Sequence, residues 1–209
     1  MFITFEGPEG CGKSTHSRRL FDEMTSDGME VVHTAEPGGT ELGARIRDIL
    51  LEKKDIRLGE VAELLLFEAD RAQHVAEVIR PALEEGGIVL CDRFNTATFA
   101  YQGYGLGMDM DLVKRVDRAA TGGLEADLTV LMDVDVETGL KRAGAYSAGD
   151  RMEKRAVSFH RKVRDAYLRM AGDEPGRFII IRVSDDIEQT YKAVREAVYG
   201  YIERNKGTG

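Results

Sequence analysis

A glycine-rich segment near the N-terminus has the residue types and the spacing that bind phosphate groups. It follows the apolar residues 1–5, matches the pattern G-x-x-x-x-G-K-[ST], and reads Gly7-Pro8-Glu9-Gly10-Cys11-Gly12-Lys13-Ser14-Thr15. In this pattern backbone N–H groups converge on phosphate oxygens, the lysine reaches the β- and γ-phosphates, and the serine hydroxyl ligates magnesium at the start of a helix. The alternative is an ordinary glycine-rich turn between a strand and a helix. The complete pattern in this setting favours a nucleoside triphosphate site.

Asp92 and Arg93 come directly after a second apolar segment, residues 88–91. Ligands of an open parallel sheet lie beyond the carboxyl ends of its strands, so Asp92 is expected close to Ser14 and in the magnesium shell with it. Two alternatives stay open, since Asp92 could instead cap the following helix or pair with Arg93. The Arg93 guanidinium is expected to bind a second phosphate group through two hydrogen bonds.

Phe67 and Arg71 stand four residues apart, so on a helix they project from the same face. An aromatic plane and a guanidinium on one face can stack on a base and donate to its carbonyl. A phenylalanine that follows three leucines is, by itself, more often a core residue. The pair therefore predicts a base pocket, with a core position as the alternative for Phe67.

The elements that must position these residues alternate between strand-like and helical patterns. Strands are expected at residues 2–5, 30–33, 88–91, 128–132 and 178–183, and helices at 14–26, 41–51, 59–84, 111–121, 136–142, 151–170 and 186–204. The strand segments are nearly continuous in apolar residues, which is typical of parallel strands covered by helices on both faces. The expected fold class is α/β, a doubly wound five-stranded parallel sheet of the P-loop NTPase type.

The composition indicates a globular protein with small-molecule ligands. The 209 residues fit a single domain over the whole chain, and no segment approaches the roughly 20 apolar residues of a membrane helix. A net charge of −8 argues against a general nucleic-acid binder, which would display a basic stripe. The N-terminus has no secretory pattern, so a cytoplasmic location is expected, with Cys11 and Cys91 as unpaired thiols.

Six segments together resemble the thymidylate kinase family over nearly the whole chain. They are residues 6–14, 36–40, 66–74, 92–94, 100–103 and 150–153. The phosphate loop alone would indicate only the superfamily, whereas Glu36-Pro37-Gly38-Gly39-Thr40 with the Phe67/Arg71 helix and Asp92-Arg93 is specific to the family. The resemblance implies transfer of the γ-phosphoryl group of ATP to dTMP, giving dTDP and ADP for dTTP synthesis. It also implies Mg²⁺ as cofactor and a homodimer.

The resemblance further implies roles for single residues. Glu9 would approach the 3′-hydroxyl of the acceptor deoxyribose, and Tyr101 would crowd its 2′ position. The other positions implied to contact the acceptor are Glu36, Pro37, Arg47, Phe67, Arg71, Arg93, Thr98 and Gln102. Among these, Arg47 and Arg93 would bind the phosphate. Ordinary structural roles, such as a solvated helix arginine for Arg47 or a helix cap for Thr98, stay open for each residue taken alone.

The glycine-rich residues 143–151 predict a mobile lid over ATP, at about residues 143–152. Bacterial members of the family usually carry more arginine here, and Gly144 and Tyr146 occupy positions where arginines often stand. We therefore assign to Arg151 the stabilisation of charge on the transferring phosphoryl group. Arg142 is assigned a contact with ATP. Catalysis would then depend on positioning and charge neutralisation, without a nucleophilic side chain. The residues assigned to it are Lys13, Glu9, Arg93 and Arg151.

Two other functions stay open at this point. One is a kinase for another nucleoside monophosphate, or one that tolerates deoxyuridylate, because phosphate contacts do not specify a base. The other is a nucleotide-dependent switch that binds a protein partner. A guanine-reading Asn-Lys-x-Asp motif after an apolar strand is missing from the sequence, since Asn205-Lys206 is followed by Gly207-Thr208. Comparing acceptors separates the two kinases, and dependence of ATP consumption on an acceptor separates a kinase from the switch.

Overall fold

The computed structural model describes residues 1–52, 56–144, 150–153 and 155–205. Within these residues five strands form one parallel sheet in the order β2-β3-β1-β4-β5. The strands are β1 (Phe2–Glu6), β2 (Val31–Ala35), β3 (Ile88–Asp92), β4 (Leu128–Asp133) and β5 (Phe178–Arg182). In register, Phe5 lies beside both Asp92 and Val130, so the carboxyl ends of the central strands meet at one edge. The predicted α/β fold class is confirmed.

Nine α-helices lie within the described residues. They are α1 (Lys13–Ser26), α2 (Glu41–Arg47), α3 (Glu60–His74), α4 (Arg80–Glu84), α5 (Asn95–Thr98), α6 (Met110–Thr121), α7 (Val136–Arg142), α8 (Val157–Asp173) and α9 (Ile187–Asn205). Three π-helical turns extend or join them, at Asp48–Glu52 after α2, at Val75–Ile79 between α3 and α4, and at Phe99–Gly105 after α5. None of these helices combines the length and the apolar content needed to cross a membrane.

The core lies on both faces of the sheet because neighbouring residues of a strand point to opposite sides. Ile3 packs with Leu20 of α1 and Val194 of α9 on one face. Phe2 packs with Val75 and Ile79 on the other. The phosphate loop therefore leaves β1 from a strand that is covered on both sides. Both cysteines are buried and free, as predicted.

The helices differ most clearly from the sequence-based prediction in three segments. The helical residues 95–105 were not predicted, since threonine, phenylalanine, tyrosine and glycine are poor helix formers and the cap position is Phe94. The helix expected from residue 151 begins at Val157, because the Asp150 carboxylate accepts from the N–H groups of Met152 and Glu153 and forms a turn. The helix expected at 59–84 changes to a π-turn at Val75–Ile79, just before the proline in α4.

Candidate active site

A cavity of about 390 Å³ lies at the carboxyl edge of the sheet. The predicted site residues that line it are Glu9, Gly10, Gly12, Lys13, Ser14, Thr15, Glu36, Pro37, Arg47, Phe67, Arg71, Arg93, Thr98, Tyr101 and Gln102. A second cavity of about 260 Å³ adjoins it and is lined by Cys11 and Arg142, with Gly10, Gly12 and Thr15 shared between the two. The phosphate loop thus separates two spaces, one toward Arg71 and one toward Arg142.

Lys13 lies at the centre of the phosphate loop. Its ammonium donates to the carbonyl oxygens of Gly7 and Pro8 at 3.1 and 3.0 Å, and the residue is only 8% exposed. Helix α1 begins at Lys13, and the preceding Gly12 has a φ of +87° and no side chain with which to cap the helix. The first N–H groups of α1 therefore point toward the cavity with the helix dipole behind them, which favours an anion.

The loop also packs backbone to backbone against α7. A Cβ atom at Gly10 would lie 2.0 Å from the carbonyl oxygen of Gly139, and one at Gly139 would lie 2.3 Å from the carbonyl oxygen of Glu9. Real side chains do not approach that closely, so each position requires glycine. Glycine in a helix is about 1 kcal/mol less favourable than alanine. Gly139 therefore lowers the intrinsic stability of α7 but allows the helix to contact the loop.

Glu9 and Arg93 form an ion pair in the wall of the cavity. Nη2 of Arg93 lies 2.9 Å from both carboxylate oxygens of Glu9, and the Tyr101 hydroxyl donates to Oε1 at 2.6 Å. Burial alone would raise the pKa of Glu9, but the charges of Arg93 and Lys13 and the Tyr101 hydrogen bond outweigh it and lower this pKa to about 2. Glu9 is therefore a permanent carboxylate.

Glu6 and Tyr167, to which the sequence analysis assigned no role, hold Arg93 in place. Nη1 of Arg93 donates to the Tyr167 hydroxyl at 3.4 Å. Arg93 has a φ of +68°, which is strained for a residue with a side chain. The Glu6 carboxylate accepts from the N–H of Phe94 at 2.8 Å and from the Tyr167 hydroxyl at 2.8 Å. Burial raises the pKa of Glu6, which is fully enclosed. In the sequence, Glu6 stands at the end of an apolar segment and directly before the phosphate-loop motif. That position gave no signal distinct from the motif itself.

Arg71 is buried between acidic side chains. Its Nε donates to Oε2 of Glu36 at 2.8 Å, its Nη1 donates to the Thr98 hydroxyl at 3.0 Å and pairs with Glu68, and Asp117 lies 3.6 Å from Nη1. Burial would lower the pKa of Arg71, but these carboxylates raise it. The guanidinium is thus fixed in one orientation against the cavity. Phe67 is half-buried and lines the same cavity, which favours a pocket wall over a core position.

A hydrogen-bonded chain supports Glu36 from behind. Nδ1 of the buried His74 lies 2.8 Å from Oε1 of Glu36, and its Nε2 lies 2.6 Å from the Thr34 hydroxyl. A side chain at Gly39 would meet the His74 ring at 2.5 Å, so the glycine lets the turn close over the imidazole. These hydrogen bonds join helix α3 to the turn that follows β2.

Asp92 adopts neither of the alternative roles that the sequence left open. Its Oδ1 accepts from the Ser17 hydroxyl at 2.5 Å, and Nε2 of His33 lies 3.9 Å from the same oxygen. The cap position of α5 is Phe94, and Arg93 pairs with Glu9. Asp92 is thus attached to α1 one turn after Ser14, and the described residues that line the larger cavity do not include it.

The two arginines assigned to the lid make different contacts. Arg142, at the end of α7, donates to Asp185 at 2.7 Å beside the smaller cavity. Nη2 of Arg151 lies 2.7 Å from Oε2 of Glu63, and its Nε donates to the carbonyl of Leu50 at 2.8 Å. The described residues that line the larger cavity do not include Arg151. Residues 145–149 of the predicted lid lie outside the described residues.

Asp70 makes the free energy of unfolding of the protein depend on pH in a predictable direction. The side chain is fully buried and accepts from the N–H of Gly38 at 2.9 Å. Burial, and then the charge of Glu36, raise its pKa from 3.8 to about 6. The folded state therefore takes up a proton before the unfolded chain does, so this carboxyl group adds stability as the pH falls from 7 toward 5.

We expect Asp70→Asn to remove that gain. Asparagine keeps the acceptor for Gly38, so the free energy of unfolding of wild type minus variant should rise by about 1 kcal/mol between pH 7 and pH 5. Urea unfolding of both proteins at the two pH values measures it. A difference that does not change with pH would contradict the raised pKa.

Comparison with known proteins gives the same family throughout. The family model described as thymidylate kinase matches residues 5–194. A thymidylate kinase of Desulfovibrio desulfuricans is 49% identical over 216 residues, covering 100% of this chain and 99% of the relative. One of Geotalea daltonii is 48% identical, covering 98% and 99%. The crystal structure of thymidylate kinase from Ehrlichia chaffeensis superposes with a TM-score of 0.77 at 35% identity, covering 95% of this chain and 98% of that one.

Proposed function

This chain belongs to the thymidylate kinase family, and on that premise we propose that it transfers the γ-phosphoryl group of ATP to dTMP, forming dTDP and ADP. One observation carries the proposal. A single cavity has the phosphate loop on one wall and the fixed Arg71 guanidinium with the Phe67 ring on another. Two phosphate-bearing ligands can therefore meet end to end within it.

The acceptor would be held at its phosphate and at its base. Arg93 and Arg47 both line the cavity and would bind the phosphate, while the ring of Phe67 would stack on the base. Arg71 would donate to the C4 carbonyl, which a cytosine lacks. Glu9, permanently ionised, can accept from the deoxyribose 3′-hydroxyl and at the same time orient Arg93. Tyr101, held by Glu9, would crowd the 2′ position.

Transfer then needs alignment and charge neutralisation. An oxygen of the acceptor phosphate attacks the γ-phosphorus, the bond to the β,γ-bridging oxygen breaks, and ADP leaves. Lys13 and the N–H groups at the start of α1 would stabilise the charge on the transferring group. These donors belong to the phosphate loop and the first turn of α1, which support the proposal because little backbone reorganisation would be needed during the reaction.

The donor set fits Mg²⁺. This ion prefers oxygen ligands and binds to nucleotides through one or two protein groups beside the phosphates. The Ser14 hydroxyl lines the cavity at the start of α1, and the Asp92 carboxylate lies at the end of the adjacent strand. We propose that these two residues hold the ion. The hydrogen bond from Ser17 to Asp92 ties the carboxylate to α1, the helix that also carries Ser14. When bound, the ion would neutralise charge on the phosphate oxygens.

The lid is proposed at about residues 143–152. Ala143, Asp150, Met152 and Glu153, which precede and follow residues 145–149 in the sequence, line the cavity and support this proposal. Arg142 is proposed to contact ATP from the smaller cavity. Arg151 is proposed to act on the transferring group, for which its guanidinium must leave Glu63.

Arg151→Ala should lower kcat at saturating substrates by about 10²-fold. An arginine in this role contributes about 10³ or more, and breaking the Glu63 pair offsets part of that gain. Steady-state ADP formation measures the change. Arg155→Ala is the matched control, since Arg155 also pairs with Glu63 at 2.9 Å but has no role assigned in transfer. Near-normal turnover of Arg151→Ala together with a lowered Tm would instead make Arg151 an anchor of the lid.

The test of the proposed function is ADP formation from ATP and magnesium with dTMP, dUMP, dCMP, dGMP or no acceptor. Strong stimulation by dTMP over dCMP and dGMP supports the proposal, and the dUMP rate measures how far a missing methyl group is tolerated. Preference for another monophosphate would reject the assigned base pocket. Hydrolysis that does not depend on an acceptor would indicate the nucleotide-dependent switch.

A cytoplasmic homodimer completes the proposal. Leu42 of α2 and Val61 and Leu65 of α3 are apolar and 46%, 53% and 51% exposed on two adjacent helices. Burial of this patch against a second copy would remove it from water. Light scattering at micromolar concentration should give twice the monomer mass of 23.2 kDa. A monomer mass would reject the dimer.

A further inference from the structure

Glu63 of α3 joins the predicted base pocket to the residues that follow the lid. The side chain is 1% exposed, and the residues that line the cavity in the described part of the chain do not include it. Its Oε1 accepts from Nε2 of Gln102 at 2.9 Å and from Arg155 at 3.0 Å. Its Oε2 lies 2.9 Å from Arg155 and 2.7 Å from Arg151. One carboxylate therefore holds two guanidinium groups and one side-chain amide.

The carboxylate determines which way the Gln102 amide points. A carboxylate that is paired with guanidinium groups accepts hydrogen bonds, and Glu63 is paired with two. The amide must therefore present its NH₂ group to Glu63. Gln102 also lines the cavity, and Oε1 is the amide atom that is not turned toward Glu63. A free glutamine could present either end at little energetic difference.

The Thr98 hydroxyl is already committed to its neighbours. It accepts from Nη1 of Arg71 at 3.0 Å, beside the Glu68 carboxylate that pairs with the same nitrogen. Gln102 lies one helical turn after Thr98 and lines the same cavity as Arg71. The wall of the pocket thus presents a fixed donor, Arg71, and a fixed acceptor, the Gln102 carbonyl.

We propose that Glu63 is a positioning residue that sets the base specificity of the acceptor site by locking the Gln102 amide with its oxygen toward the base. The proposal rests on the proposed thymidylate acceptor. Thymine presents a C4 carbonyl beside an N3–H, which complements a donor next to an acceptor. Cytosine presents an amino group beside an unprotonated N3, which places donor against donor and acceptor against acceptor.

The test is the ratio of kcat/KM for dTMP to kcat/KM for dCMP. Glutamine at position 63 can donate as well as accept, so Glu63→Gln allows the Gln102 amide to rotate. We expect the ratio to fall about tenfold, the value of one hydrogen bond. Arg155→Met is the control, because it removes a partner of Glu63 but leaves the acceptor for Gln102; it should leave the ratio unchanged. Equal losses for both acceptors in Glu63→Gln would overturn the proposal.

A double-mutant cycle separates this role from a general structural one. In a Gln102→Leu background there is no amide to orient, so Glu63→Gln should cause no further fall in the ratio. A fall that persists there would overturn the proposal. If Glu63→Gln does not fold, Glu63→Met with Arg155→Met replaces the buried pair by apolar side chains and should lower the ratio relative to Arg155→Met alone. Wild-type preference for dTMP, measured first, distinguishes failure of this proposal from failure of the proposed function.

Discussion

Arg71→Met is expected to lower kcat/KM for dTMP by about 10²-fold, while the KM for ATP changes little. A hydrogen bond from a charged group contributes up to about 3 kcal/mol, which corresponds to roughly 10²-fold. Arg71 lines the cavity and is held there by Glu36 and Thr98. Initial rates with each substrate varied in turn measure the effect. Equal losses for ATP and dTMP would reject a role in reading the base.

The same variant should also be less stable. Removing the guanidinium leaves Glu36, Glu68 and Asp117 close together without their counter-charge. Loss of one partner from a buried ionic group costs about 3–5 kcal/mol. Burial, together with the charges of Glu68 and Glu36, already raises the pKa of Asp117 to about 6 although the charge of Arg71 opposes it. Burial also raises the pKa of Glu68, so Asp117 and Glu68 become protonated in the folded state first as the pH falls, and part of the lost stability should return at pH 5.

Arg71→Lys separates the two effects. Lysine keeps the positive charge, so urea unfolding at neutral pH should recover most of the stability. It cannot reproduce the planar fork of guanidinium donors, and the loss of kcat/KM for dTMP should therefore persist. A lysine variant with full activity would show that the site requires charge and not geometry.

Lys13→Met should lower kcat by about 10³-fold, the upper end of what one stabilising donor contributes, because the lysine carries a full charge. Its ammonium is held by the carbonyls of Gly7 and Pro8, so its position does not depend on a flexible tail. Methionine has a similar length and no charge. Single-turnover rates of dTDP formation measure the chemical step, and the Tm should change by only a few degrees.

Lys114→Met is the matched control for this change. Lys114 is exposed on α6 and does not line either cavity, so the same substitution there should leave kcat unaltered. Loss of activity in both variants would indicate a general effect of removing charge. Retained activity in Lys13→Met would reject the assigned role of the ammonium.

The parts of the site that could be predicted from the sequence are those with local signals. The phosphate loop has fixed glycine spacing after an apolar strand, and Asp92-Arg93 follows another such strand. The helical residues 95–105 have no such signal, although they carry Thr98, Tyr101 and Gln102. Their helix forms because Ala100 and Tyr101 pack against α8, and contacts between distant segments cannot be deduced from propensity.

Glu63 and Glu6 illustrate the same limit for single residues. A glutamate on a helix is ordinarily solvated, and only folding brings Gln102 and Arg155 to Glu63. Glu6 lies within a recognised motif, but its partner Tyr167 is 161 residues away in sequence. The sequence also assigned Arg151 to the transferring group, whereas the structure places its guanidinium against Glu63.

The contact between the phosphate loop and α7 limits how the proposed lid of this kinase could be rebuilt. The carbonyls of Gly139 and Glu9 occupy the spaces that side chains at Gly10 and Gly139 would need, so the two segments can only be exchanged together. A longer lid, or one transplanted from a relative, should be joined after Arg142, where α7 ends. A junction inside α7 would pair one protein's loop with another protein's helix and separate two surfaces that fit only as a matched set.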